Sequence, residues 1–255
     1  SPWMQKLPGG LIHVNVVGCA LFAAISGSSA ATVATVGKMS IPELRKRKYP
    51  EKILLGSLAG SGTLGLLIPP SIILIIYGVT VQESIAKLFI AGIIPGIMIA
   101  LIFMSYVIIW SLINKKSMPK YVESFTFLEK VKKSKQLLPV IILISAVIGS
   151  IYTGVATATE AASLGVVGSL ILSYFQKSLT IETFKQSLLG ATKTSCMIAF
   201  ILAGSTFLSL AMGFTGLPRN LAIWIQNMEL SPYVLIFVLM IFYIILGMFL
   251  DGISA

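Results

Sequence analysis

Charge is what this sequence has least of. Only 11% of its 255 residues are charged, against about 25% in a soluble globular domain. Acidic residues are the scarcer sign, nine against nineteen basic, and the net charge is +10. Titratable and sulfur ligands are scarce too: one histidine, His13, and two cysteines, Cys19 and Cys196. Both cysteines lie in apolar stretches, so they read as small hydrophobes, neither a disulfide nor a metal pair. What fills the chain is apolar: 56% hydrophobic residues and a mean hydropathy of +0.94. That composition predicts a polytopic membrane protein. A basic excess can also mark a nucleic-acid partner. Here the basic residues sit in short loops between apolar segments, as the positive-inside rule requires, and no nucleic-acid partner is expected.

Runs without full charges delimit seven apolar segments, at about 10–37, 53–79, 88–113, 137–153, 154–175, 190–217 and 230–250. Helices satisfy their own backbone in lipid, so all seven are expected to be helical. Six basic residues fall in 38–52, seven in 115–135 and three in 177–193. Two segments separate each of these loops from the next, which places all three on one face, the cytoplasmic one. Lys87 and Arg219 fall on the opposite side. Lys6 tests the first segment: it lies outside if residues 10–37 cross fully, and inside if they form a re-entrant hairpin. Residues 114–136 read as a polar, basic cytoplasmic connector. In 178–193, Ile181, Phe184, Leu188 and Ala191 recur at helical spacing, the pattern of an amphipathic interfacial arm. The chain starts at Ser1 and stops just after a second polar break, so it reads as an internal piece of a longer protein.

Two interruptions carry the functional signal. The first is Ile25-Ser26-Gly27-Ser28-Ser29-Ala30-Ala31-Thr32, polar and uncharged inside an apolar segment. Unwound backbone at membrane depth is tolerated only where it is buried in protein or lines a watery cavity. The break therefore favours a hairpin tip and a site for an ion or small polar solute. The second runs Gly60-Ser61-Gly62-Thr63-Leu64-Gly65 to Ile68-Pro69-Pro70-Ser71. Adjacent prolines remove two backbone donors. Carbonyls freed there suit a cation, while helix N-termini favour an anionic group. A packing kink with small-residue contacts is the plainer reading of the same residues.

The last segment echoes the first. Leu21–Ile25 leads into Ser26-Gly27-Ser28-Ser29, and Leu246–Leu250 leads into Asp251-Gly252-Ile253-Ser254. By the loop charges, the first enters from inside and the last from outside, as in an inverted-topology repeat. Asp251 follows a long uncharged run, and an intramembrane carboxylate is a functional candidate by default. Glu160, in Thr157-Ala158-Thr159-Glu160, reads equally as a solvated turn or cap-like residue. His13 reads as structural.

Together these stretches resemble the large membrane subunit of the tripartite ATP-independent periplasmic (TRAP) transporters. The residues that carry the resemblance are Leu7-Pro8-Gly9-Gly10, Ile25–Ser28, Gly62–Ser71, Ala91–Gly96, Thr157–Ala162 and Gly247–Asp251. The resemblance implies an all-α, elevator-type helical bundle with re-entrant hairpins and broken helices. Residues 7–37 would be the first hairpin of the transport domain and 53–79 its broken helix. Residues 88–113, 137–175 and 194–217 would be membrane helices, 114–136 the connector and 178–193 the arm. Residues 230–255 would be the first arm of a second hairpin. It also implies sodium-coupled uptake of an organic anion, such as a sialic acid or C4-dicarboxylate, across a bacterial inner membrane. A periplasmic binding protein would deliver the solute, and a small membrane subunit would flank this one. Sodium would lie near Ser26, Gly27, Ser28, Gly62, Gly65 and Pro69. The substrate would meet Ser28, Ser29, Ser71 and Asp251, and Arg219 would contact the binding protein.

The chain departs from that pattern at Thr32, where many members have aspartate, at Ala158, where many have proline, and at Gly252. Other classes fit less well. A channel needs a continuous polar pore, and proton coupling has few carriers beyond Asp251, Glu160 and His13. An intramembrane serine protease would need His13 beside Ser26 or Ser28, yet about 20 Å of helix separates them at 1.5 Å per residue.

Overall fold

The computed structural model describes residues 3–4, 7–119 and 138–249. Among the described residues every regular element is helical, with no strand. Four of the helices are long and apolar enough to cross a membrane. The protein is an all-α, polytopic helical membrane protein, and its chain divides into two units, 1–175 and 176–255.

In the first unit, α1 (His13–Ser26) and α2 (Ser29–Lys46) are joined by a two-residue turn and pack against each other. Gly27 ends α1 with φ 58°, and Ser28 is the extended N-cap of α2. The second helix does not stop near residue 37, where charge begins. It runs through Lys38 and Pro42 to Lys46. The reason is its inner face: Val36, Ser40 and Leu44 continue at helical spacing and are all buried. After a turn, α3 (Glu51–Gly62) packs against both α1 and α2. A 3₁₀ turn at Thr63–Leu66 and an irregular stretch through Ser71 follow, and then α4 (Ile72–Thr80). The segment 53–79 is thus two helices with an unwound centre.

Ser84 caps α5 (Ile85–Ile113), which begins three residues ahead of the expected segment. At 1.5 Å per residue its 29 residues span about 43 Å, the full thickness of a bilayer with its headgroups. Helices α6 (Leu138–Tyr152) and α7 (Ala158–Phe175) form a packed pair. Phe89, Ile151 and Ala161 bury a cluster that ties the start of α5 to their turn.

The base of the hairpin is fastened by polar groups as well as apolar ones. Leu11, Ile12, Leu44, Tyr49, Ile53, Leu54 and Val107 form one buried cluster. Tyr49 Oη accepts from the Leu11 N–H at 3.1 Å. Asn15, fully buried, donates to the Leu54 carbonyl at 3.1 Å and to Ser57 Oγ at 3.0 Å. His13 donates from Nε2 to the Pro8 carbonyl at 2.8 Å and is buried, a structural role.

In the second unit, α8 (Ile181–Thr215) is one uninterrupted helix of 35 residues. The expected arm and the crossing after it are therefore continuous. Thr180 and Thr183 form a reciprocal capping box at its start. Its length of about 52 Å exceeds the roughly 30 Å hydrocarbon core, so the amphipathic first turns need not enter it. Gly216 ends α8 with φ 68°, a short amphipathic α9 (Leu217–Gln226) follows, and α10 (Pro232–Phe249) closes the described chain.

Removing one hydroxyl at the hairpin base isolates a buried N–H. Tyr49→Phe is expected to lower the unfolding free energy by about 1–3 kcal/mol, read as a lower Tm in detergent, whereas Tyr77→Phe, at a 53% exposed position, leaves Tm unchanged.

Candidate functional site

The two interruptions meet. Gly27 approaches the loop before α4 so closely that a Cβ on it would lie 3.1 Å from Ile72 N and 3.2 Å from the Pro70 carbonyl oxygen. Gly65 approaches the other side of the tip: a Cβ there would lie 3.1 Å from the Ser28 carbonyl and 3.2 Å from Ser29 N. A side chain on Gly62 would collide with Val33. The hairpin tip is therefore seated in the break between α3 and α4, backbone against backbone. Glycine at 27 serves twice, since its left-handed conformation costs an L-residue roughly 1–2 kcal/mol.

The tip is held by a relay of hydroxyls. Thr32 Oγ1 donates to the Ser28 carbonyl at 2.7 Å, and Ser26 Oγ lies 2.8 Å from Thr32 Oγ1. The carbonyl can only accept: it takes the Thr32 hydroxyl proton and lies 3.2 Å from Ser26 Oγ, which donates to it as well. Ser26 in turn accepts from the Ser28 N–H at 3.3 Å. Ser28's amide and carbonyl are thus linked through two side chains, an arrangement in which each bond polarises the next. The Thr32 N–H also donates to the Ser28 carbonyl, at 3.0 Å. Ser28 Oγ accepts from the Ala31 N–H at 3.4 Å as the cap of α2.

Across the interface, Ser71 is fully buried and donates to the Leu66 carbonyl at 2.6 Å, bracing the unwound stretch from within. Pro69 is buried, and its bond to Pro70 is cis. Ser29 is half-buried beside Gly65. So Ser26, Gly27, Ser28, Ser29, Gly62, Gly65, Pro69 and Ser71 belong to one locality. Asp251 lies outside the described residues. Arg219 opens the first turn of α9, in the second unit.

Four helix ends converge here: the C-termini of α1 and of α3 with its 3₁₀ extension, and the N-termini of α2 and α4. C-termini carry about half a negative charge and N-termini about half a positive one. The same junction therefore offers a place to a cation and a place to an anion. Its side chains are neutral hydroxyls, and the sequence puts no titratable group in 26–32 or 62–72. Hydroxyl and carbonyl oxygens in a charge-free cradle are the donor set of a hard monovalent cation.

Beside this junction runs a cavity of about 420 Å³ between α1, α5 and α6, lined by Val16, Ala20, Ile97, Met104 and Ile148. Its aliphatic walls cannot solvate a carboxylate, so it is not where an organic anion would sit. Glu160 accepts from both the backbone N–H and the hydroxyl of Thr157 at 2.8 Å, and Thr157 Oγ1 accepts from the Glu160 N–H. That is a capping box for α7, which accounts for Glu160 structurally.

Sequence reasoning noted Thr32 only as a departure from a pattern, yet it is the fully buried keystone of the tip. The available signal was its spacing, four residues after an N-cap serine and so on the same helix face.

A family model described as "Tripartite ATP-independent periplasmic transporter, DctM component" matches residues 4–255. The C4-dicarboxylate TRAP transporter large permease protein DctM of Pseudomonas aeruginosa is 34% identical over 244 residues, 95% of this chain and 56% of that protein. The sialic acid TRAP transporter large permease protein SiaM of Vibrio cholerae is 32% identical over 251 residues, 97% of this chain and 58% of that protein. The isethionate TRAP transporter permease protein DctMQ of Oleidesulfovibrio alaskensis is 32% identical over 256 residues, 99% of this chain and 40% of that protein. The chain spans about half the length of the curated relatives it matches.

Thr32→Val is nearly isosteric and breaks the relay, leaving the Ser28 carbonyl with only the Thr32 N–H and the longer bond from Ser26 Oγ. The variant is expected to lose about 1–3 kcal/mol of stability, and Thr32→Ser to recover most of it. Equal Tm values for Thr32→Val and wild type in detergent count against the relay.

Proposed function

The chain belongs to the DctM-component family of tripartite ATP-independent periplasmic transporters, and from that membership and the geometry of the tip we propose that it carries one half of the substrate and sodium site of a secondary uptake system. Members of this family are inner-membrane transport proteins, not enzymes. The proposed activity is sodium-coupled uptake of an organic anion. The observation that carries it is the seating of an uncharged hairpin tip in the break of a second helix.

In this reading sodium is held by oxygens of Ser26, Gly27, Ser28, Gly62, Gly65 and Pro69, at the two C-terminal helix ends. Binding there requires the Ser26–Thr32 relay to open, so the hydroxyls that satisfy Ser28 without the ion become ligands with it. The carboxylate of the substrate meets the positive ends of α2 and α4, with Ser28, Ser29 and Ser71 as hydroxyl partners and Asp251 opposite. Sodium bound beside the anion lowers the electrostatic cost of bringing either into the membrane, which gives coupling a physical basis. Relatives are named for C4-dicarboxylates, sialic acid and isethionate, so the class proposed is a small organic anion.

The proposed partners are a periplasmic binding protein that delivers the solute, with Arg219 as a contact, and a small membrane subunit. One relative is named as a joined DctMQ permease. The hairpin and the broken helix are proposed to travel together as the moving body of an elevator. Close backbone-to-backbone packing between them, with Gly27 against the loop before α4 and Gly65 against Ser28, favours motion as one piece.

The test is uptake into proteoliposomes holding the full-length protein, its small subunit and its binding protein loaded with solute. An inward sodium gradient is expected to drive accumulation, and replacing sodium with potassium to abolish it. Equal uptake in the two salts, or uptake driven by a proton gradient alone, overturns the proposal.

A further inference from the structure

Two basic loops that are far apart in sequence lie at one place in the fold. The turn from α2 to α3 carries Arg45, Lys46, Arg47, Lys48 and Lys52, and the 3₁₀ turn after α5 carries Lys115 and Lys116. Trp110 and Met118, which flank the second turn, pack against the cluster that includes Leu44 and Tyr49, which flank the first. The buried core therefore brings the two turns together at the base of the hairpin.

The charges in this patch divide by type. Arg45 holds Glu51 through two hydrogen bonds, of 2.7 and 3.2 Å. Arg47 holds Glu43 at 2.6 Å, and that hydrogen bond and the guanidinium charge keep Glu43 below the ordinary carboxylate range. Both carboxylates are thereby spent on arginines. Lys46, Lys48, Lys52, Lys115 and Lys116 are exposed, and none makes an ion pair among the described residues. The result is an excess of exposed ammonium groups beside two ion pairs.

Depth identifies what those ammonium groups meet. The 29 residues of α5 reach about 43 Å, so a helix that starts at one headgroup layer ends in the other. Lys115 follows that end directly. Trp110, only partly buried, lies beside the patch, where aromatic residues mark the membrane interface. By the distribution of basic loops, this is the cytoplasmic leaflet, whose anionic lipids carry the opposite charge.

We propose that Lys46, Lys48, Lys52, Lys115 and Lys116 form a binding surface for the phosphate headgroup of an anionic phospholipid at the base of the hairpin. The surface is independent of the ion and substrate junction, since the hairpin base and tip are opposite ends of α1. It also goes beyond a general inward bias of basic residues, because it singles out one convergence of two loops within the first unit. Each lysine near an anionic membrane surface contributes about fivefold.

The experiment is native mass spectrometry of the detergent-solubilised full-length protein, titrated with phosphatidylglycerol or with phosphatidylcholine. Wild type is expected to retain phosphatidylglycerol at the lower concentrations and to show no preference-driven retention of phosphatidylcholine. The variant K46Q/K48Q/K115Q/K116Q is expected to need at least about tenfold more phosphatidylglycerol for equal retention. K177Q/K185Q/K193Q is expected to behave as wild type. Unchanged retention in the first variant, or an equal loss in the second, overturns the proposal. If the fourfold variant is not monodisperse, K115Q/K116Q alone decides the matter through the thermal shift that phosphatidylglycerol confers: a reduced shift supports the surface, and a wild-type shift refutes it.

Discussion

A polypeptide that unwinds inside a membrane has no water to satisfy its backbone, and the first unit of this protein is arranged around that constraint. Two chain breaks occur at membrane depth, and each is the other's environment. The tip between α1 and α2 fills the gap between α3 and α4, and the close approach is possible because Gly27 and Gly65 present no side chains there. Either break alone would expose polar backbone to lipid. Together they make a junction of four helix ends in which Gly27, Gly65, Pro69 and Ser71 are buried.

The remainder of the unit positions that junction. At one end of α1, Asn15 and Tyr49 bond backbone groups of neighbouring elements and fix the base of the hairpin. At the other end, the relay through Ser26 and Thr32 fixes the tip. Between the two, Cys19, Val36 and Leu58 pack a dry core among α1, α2 and α3. A polar device at each end with apolar packing between gives a stiff lever whose tip carries neutral oxygens. Neutrality matters for the proposed chemistry: hydroxyls and carbonyls can exchange partners with an alkali cation without gaining or losing protons.

Much of this was legible in the chain before any coordinates. The charge gaps gave the spans, and two polar interruptions in apolar sequence marked the junction, because lipid permits so few reasons for them. The charge at Lys38 is expected to close the hairpin near residue 37, yet α2 continues past it because Val36, Ser40 and Leu44 keep its inner face buried, and the amphipathic arm at 178–193 joins the following crossing as one helix, α8. Helices end where capping or backbone demands it, and charge alone marks only where the lipid ends. Thr32 was undervalued because its partner is the tip's own carbonyl, a contact fixed by the local turn and invisible in composition. Glu160 was left between two readings, and the reciprocal bonds with Thr157 resolve it as a cap. The pairing of the two basic turns could not be read from sequence at all, since it depends on Met118 and Trp110 reaching a core built from residues 11–54. Asp251 lies outside the described residues.

The junction of the two breaks is proposed to bind sodium in preference to other alkali cations. It is tested most directly by thermal unfolding of the full-length protein in detergent, with sodium or potassium chloride at equal ionic strength. A ligand that binds only the folded state raises stability in proportion to the logarithm of its concentration above Kd. The account predicts that Tm climbs with sodium and stays flat with potassium, and that Ser26→Ala removes the difference. Superimposable sodium and potassium curves for the wild-type protein, across the range from micromolar to molar salt, would contradict it.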